Sequence, residues 1–173
     1  MKYETHLTTK SSQTKRLGEK LAQKILRVQL TPGLDWPGVK RERAVIIGLV
    51  GDLGGGKTTF LQGFAKGLGI KQKILSPTFV IMRRFQISSL SRPSAEAVSG
   101  AGKFQDFYHI DCYRIQKPKD ILSLGFKEII SDPQNIVAIE WAYRVRKIVP
   151  KGTIWISFEL VDKNIRKILL KFT

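Results

Sequence analysis

The stretch that most constrains this chain is AVIIGLV (44–50), followed at once by GDLGGGKTT (51–59). The first run is apolar throughout and rich in β-branched residues, which predicts a strand buried on both faces. The second fits G-x-x-x-x-G-K-[ST] from Gly51 to Thr58, and KTTFLQGFAKGLG behind it has helical periodicity, with Phe60, Phe64 and Leu68 on one face. Strand, glycine loop and helix in that order form a cradle for phosphate. Gly54, Gly55 and Gly56 let several backbone N–H groups close on one anion without a Cβ in the way. The helix starting near Thr58 aims its N-terminal dipole at the same place, and Thr59 belongs to that first turn. Lys57 is placed to reach the β- and γ-phosphates of ATP, and the Thr58 hydroxyl to ligate Mg²⁺.

A nucleotide site needs more oxygen ligands for Mg²⁺ and a group that orients water. Two acids close apolar runs. Glu140 ends NIVAIE and Asp111 ends FYHID. In an open α/β sheet ligands gather outside the C-terminal strand ends, so both are candidates for catalysis and for the metal, and the choice between them stays open. Arg114 offers Asp111 an alternative role as half of an ion pair.

Elsewhere the pattern alternates. Residues 12–29 predict an amphipathic helix on Leu17, Leu21, Ile25 and Val28. TPGLDWPG (31–38) reads as a turn-rich connection, and 88–102, rich in Ser, Gly and Ala, as a surface loop. Strands are expected from Thr78 within 73–85, and over 104–115 and 135–141. Residues 118–130 read as a helix or two short turns. TIWISFEL (153–160) and IRKILLKFT (165–173) read as a terminal hairpin across VDKN. The expected fold class is α/β, one domain over 1–173 with a mixed, mainly parallel central sheet flanked by helices and a C-terminal β-hairpin.

Composition narrows the setting. No apolar run approaches the ~18–20 residues that span a bilayer, and the N-terminus lacks an apolar signal core, so a cytoplasmic protein is expected. The single cysteine, Cys112, reads as a small core residue. His109 reads as a structural strand residue, and His6 as a surface one. Lys and Arg number 30 against 14 Asp and Glu, a formal charge of +16, which points to polyanionic partners.

Five ordered features together resemble the bacterial TsaE (YjeE) family, the P-loop ATPases of tRNA threonylcarbamoyladenosine biosynthesis. They are T-x-x-L-G-x-x-L-A (Thr14 to Ala22), G-D-L-G-G-G-K-T-T (Gly51 to Thr59), S-P-T-F (Ser76 to Phe79), Y-H-I-D-C-Y-R (Tyr108 to Arg114), and I-E-W with Arg144 beyond it. The resemblance implies a P-loop NTPase fold and a weak, partner-dependent ATPase acting with TsaD-type and TsaB-type proteins. In that system the TsaD-type protein transfers the threonylcarbamoyl group to adenosine 37 of tRNAs reading A-starting codons, and the ATPase resets the complex. By motif match, Glu140 is the Mg²⁺-linked acid, Asp111 the second acid, and Thr78 part of a switch loop sensing the γ-phosphate. Ser11 to Thr14 lies near the base, and Trp141 offers a ring for stacking. Arg144 and Arg166 offer positive charge to the nucleotide. Where the family has E-W-P-E-R, Ala142 and Tyr143 replace Pro and Glu, and the connections at 31–43 and 86–103 are longer than usual. The strong basicity adds direct contact with tRNA phosphates as an expectation. Two other classes fit a P-loop: a small-molecule kinase, which needs an acceptor pocket and an arginine-bearing lid, and a nucleotide- or RNA-binding module without turnover. An ABC-type ATPase is disfavoured because no LSGGQ-like run occurs.

Overall fold

The computed structural model describes residues 2–31, 34–39, 42–76, 80–87 and 104–172. The elements follow the chain as β1 (Lys2–Thr8), α1 (Ser11–Leu30), β2 (Val45–Gly51), α2 (Lys57–Gly67), β3 (Met82–Gln86), β4 (Asp106–Asp111), α3 (Pro118–Leu122), α4 (Phe126–Ser131), β5 (Asn135–Glu140), β6 (Ile154–Asp162) and β7 (Ile165–Phe172). All seven strands form one sheet in the order β1-β7-β6-β2-β5-β4-β3. The centre, β6-β2-β5-β4, is parallel, and the outer pairings are antiparallel. Because β1 reverses the direction of β7, which itself reverses β6, only β3 and β7 run against the rest. The expected mixed, mainly parallel sheet and terminal hairpin are both present.

The apolar stripes close one layer over the sheet. Leu21, Ile25 and Val28 of α1 and Phe60, Phe64 and Leu68 on and just beyond α2 pack into one core with Ile47, Leu49, Ile154, Ile156 and Ile168. A second core on the other face joins Ile110, Ile121, Phe126, Val137 and Ile139. Cys112 is fully buried in it, and burial pushes its thiol up to about 12. The first layer depends on a backbone-to-backbone approach of two helices. A Cβ on Gly63 of α2 would lie 1.8 Å from the Lys15 carbonyl oxygen of α1, and one on Gly18 would lie 2.2 Å from the Phe60 oxygen. Glycine at both positions lets the helices touch.

Three elements differ from the sequence expectation. β1 was not anticipated: most of its residues are exposed, so KYETHLT lacks the apolar alternation that marks a strand, and pairing with β7 along Lys2–Thr8 makes it one. The strand expected from Thr78 begins at Met82, because Met82 N–H turns back to the Val80 oxygen at 2.7 Å and Ile81 has φ 63, which breaks the extended ladder. The strand expected over 104–115 ends at Asp111, whose side chain takes the Tyr113 N–H at 2.8 Å and turns the chain. Residues 118–130 form two short helices split at Gly125, which has φ 74. Among the described residues no helix is long and apolar enough to cross a membrane.

Candidate nucleotide site

Parallel pairing builds the site. β2 runs beside β5, with Leu49 opposite Glu140, and β5 runs beside β4, with Glu140 opposite Asp111. Both acids therefore arrive at the sheet edge where β2 enters the glycine loop, and paired positions share a face. Gly51 has φ 133 and lies so close to β6 that a Cβ would meet the Phe158 oxygen at 2.3 Å. The loop turns through a Gly55 N–H to Asp52 oxygen bond of 3.1 Å and enters α2 from Gly56, which has φ 103. No acidic side chain occupies the first turn of α2, so the field at its N-terminus stays open to an anion.

A cleft of about 370 Å³ opens over this loop. Gly54, Gly56, Lys57, Thr58 and Thr59 line it from below, and Asp111, Glu140, Ser76 and Trp141 from the side. Gly55 is buried beneath the loop. The Lys57 ammonium donates to the Gly51 and Asp52 carbonyl oxygens at 2.7 Å each and lies 4.2 Å from the centre of the Trp141 ring. Burial pushes its pKa down from the ordinary lysine value, while Glu140, Asp111 and Asp52 pull it back up. Trp141 holds the left-handed region at φ 56, a strained backbone of the kind that collects at functional sites.

The Thr58 hydroxyl donates to both Glu140 oxygens, at 3.0 and 3.2 Å. Glu140 Oε1 also accepts from His109 Nε2 at 2.8 Å. A carboxylate only accepts, so Nε2 is the protonated nitrogen, and Nδ1 has no partner among the described residues. His109 and Glu140 are both buried. Sequence reasoning gave His109 no role in the site. The available signal was spacing: His109 is two residues before Asp111, hence on the same face of β4 and diagonal to Glu140. Asp111 is buried too; its Oδ2 accepts from Ser76 Oγ at 2.5 Å, which ties the acid to the start of S-P-T-F.

The remaining expected residues are more scattered. Arg166 and Thr14 lie behind the loop, 3.4 and 3.7 Å from where a Cβ on Gly56 would stand. Thr14 is buried and hydrogen-bonded to Thr8 at 2.9 Å, so it braces the loop. Ser11 is exposed in the first turn of α1. Arg144 donates to the Ile115 oxygen at 3.1 Å. Thr78 lies outside the described residues. The donor set suits a hard cation: a hydroxyl and carboxylates, with no grouping of three or more His, Cys, Asp or Glu poised around a metal among the described residues. A cation held by this set would need further oxygens from phosphate and water, as Mg²⁺ characteristically does.

The model of the family described as "Threonylcarbamoyl adenosine biosynthesis protein TsaE" matches residues 8–168. The chain belongs to the TsaE family. TsaE proteins take part in tRNA threonylcarbamoyladenosine biosynthesis, and their P-loop NTPase fold implies binding of a nucleotide, typically with Mg²⁺. The TsaE protein of Haemophilus influenzae is 28% identical over 147 residues, covering 85% of this chain and 76% of that protein. That of Borreliella burgdorferi is 35% identical over 117 residues, covering 67% and 74%. The crystal structure of Bacillus subtilis YdiB superposes with a TM-score of 0.68 at 24% identity, over 99% of this chain and 86% of that one, and shares the fold.

Proposed function

We propose that this TsaE-family chain hydrolyses ATP, weakly alone and faster with its TsaD-type and TsaB-type partners, and that this cycle supports threonylcarbamoylation of adenosine 37 without performing the transfer. The observation that carries the proposal is the convergence of Lys57, Thr58, Glu140, His109 and Asp111 at one edge of the parallel sheet, with Ser76 joining Asp111 to the segment before β3.

Backbone N–H groups of Gly54 to Thr59 hold the phosphates. Lys57 exchanges its two carbonyl partners for phosphate oxygens as the nucleotide enters, a replacement of neutral acceptors by charged ones. Thr58 and Glu140 would hold Mg²⁺, which would supply charge neutralisation for the reacting phosphates. His109 keeps the Glu140 carboxylate facing Thr58. Water attack on the γ-phosphorus forms one P–O bond as the bond to the β-phosphate oxygen breaks. A strand-end carboxylate, Glu140 or Asp111, orients the water and takes its proton. Departure of the γ-phosphate relaxes Ser76 and the S-P-T-F segment, Thr78 included, and changes affinity for the partners.

The test is ATP turnover by the purified chain, alone and then with the TsaD/TsaB-type pair. Weak turnover that rises with the pair is expected. Phosphoryl transfer to a small hydroxyl compound by the chain alone would replace the proposal with a kinase. Nucleotide binding without turnover under either condition would replace it with a sensor module.

A further inference from the structure

Strands β6 and β7 bury one face against α1 and α2 through Ile154, Ile156, Phe158, Ile168, Leu170 and Phe172, and β1 extends the sheet beside β7. Their other face is half-buried or exposed and carries a different chemistry. Register sets Tyr3 opposite Lys171 and Lys171 opposite Trp155, so the three side chains stand in one row across the sheet. The Lys171 ammonium lies 5.8 Å from the Tyr3 ring centre, and the Arg146 guanidinium continues the row 5.3 Å from the Trp155 ring. A cavity of about 310 Å³ opens at the Trp155 end, with Val50 and Leu169 as apolar lining and Ser157, Tyr143, Arg146 and Lys171 as polar groups.

Aromatic and cation alternate along this row. Lys171 and Arg146 make no ion pair among the described residues, whereas Lys167, farther along the same face of β7 beyond Leu169, is paired with Glu159 at 3.5 Å. Two cations without an ion pair among the described residues, beside the exposed Tyr3 ring and the half-buried Trp155 ring, on a chain of charge +16, complement a strand that offers phosphates and unpaired bases together. A protein partner's buried core disfavours lysine, so the row suits RNA better.

We infer that this open sheet face binds a single-stranded segment of tRNA, with one base stacked on Trp155 in the cavity and its flanking phosphates held by Lys171 and Arg146. The inference deepens the tRNA-modification reading and depends on it only for the choice of RNA. The face is separate from the nucleotide cleft but adjoins it: Tyr143 packs edge-on against Trp141, ring centres 6.2 Å apart, and Trp141 covers Lys57.

The experiment is binding of an unmodified tRNA transcript to the full chain across a salt series, with ATP turnover measured on the same preparations. Wild type is expected to bind at low salt. Arg146→Ala with Lys171→Ala should weaken binding at least tenfold and flatten the log K against log salt slope by about 1.4, two phosphate contacts at roughly 0.7 each. Trp155→Ala should weaken it roughly tenfold through lost stacking. Because Trp155 packs against Gly48, the double cation variant carries the test if Trp155→Ala fails to fold. Turnover should be unchanged in the double variant. Absence of tRNA binding by wild type at low salt overturns the inference, as does a double variant with wild-type affinity and slope. Equal affinity for a fully paired RNA duplex overturns it too, and loss of TsaD/TsaB-type binding with tRNA binding intact assigns the face to a protein instead. Stimulated ATP turnover in the absence of tRNA binding sinks this inference and leaves the proposed function standing.

Discussion

Gly63→Ala separates helix propensity from tertiary contact by sign. On propensity alone, alanine in a helix interior stabilises by about 1 kcal/mol over glycine. Here the new Cβ would lie 1.8 Å from the Lys15 carbonyl oxygen and 2.5 Å from its carbonyl carbon, and neither is a side chain that can rotate away. The gap has to open beyond 3.0 Å, so α1 and α2 must move apart along their shared contact. That loosens the packing of Leu21, Ile25, Phe60 and Phe64, all fully or nearly fully buried. Overpacking of this kind costs about 1–3 kcal/mol beyond any local gain. A net loss of about 2 kcal/mol lowers Tm by roughly 4–8 °C in a chain of this size. Nucleotide affinity should fall as well, because Thr14 of α1 braces Gly56 and α2 begins at Lys57. The assay is thermal unfolding with and without ATP and Mg²⁺. A Tm equal to or above wild type would refute the reasoning, since the helices would then have room that the contact distances deny.

Lys57→Ala is expected to abolish ATP turnover while the protein stays folded; undiminished turnover, measured as phosphate release, would contradict the site. Glu140→Ala should hydrolyse less than it binds, with kcat falling further than nucleotide affinity; equal loss of both would assign Glu140 mainly to metal binding. His109→Leu should follow it in direction but more weakly, since it leaves the Thr58–Glu140 bond in place and removes one charge-assisted bond of about 1.5–3 kcal/mol; a kcat equal to wild type counts against its positioning role. Cys112, with its thiol raised to about 12 by burial, should resist alkylation in the folded protein at pH 9 and react on unfolding. The folded state then holds a proton that the unfolded chain releases, so this thiol lowers stability as pH rises above its unfolded value near 9; Cys112→Ala, which lacks this loss, should gain on wild type there, and a wild type that gains on the variant would run against the sign.

The chemistry of the cleft was legible where it is local. A phosphate loop is contiguous in sequence, so its glycines, Lys57 and Thr58 announce themselves together. Glu140 and Asp111 were legible as acids that end apolar runs. His109 was not, because a histidine inside a strand gains a role only when a neighbouring strand supplies its partner, here Glu140 at 2.8 Å. Ser76 was visible as part of a motif, but its bond to Asp111 spans 35 positions. β1 escaped for a related reason: an edge strand with most side chains exposed needs no apolar alternation, and its hydrogen bonds come from β7 at the far end of the chain.

By itself, then, the sequence determined the α/β class, the phosphate loop between β2 and α2, the two strand-end acids and the terminal hairpin. Each rests on periodicity or on residues adjacent in the chain. Only the tertiary structure decided that Glu140 grips Thr58, that glycines bring α1 against α2, and that Tyr3, Lys171, Trp155 and Arg146 fall into one row. These depend on strand order, register and interhelical distance, which are settled when the sheet closes and distant segments compete for the same hydrogen bonds and the same buried space.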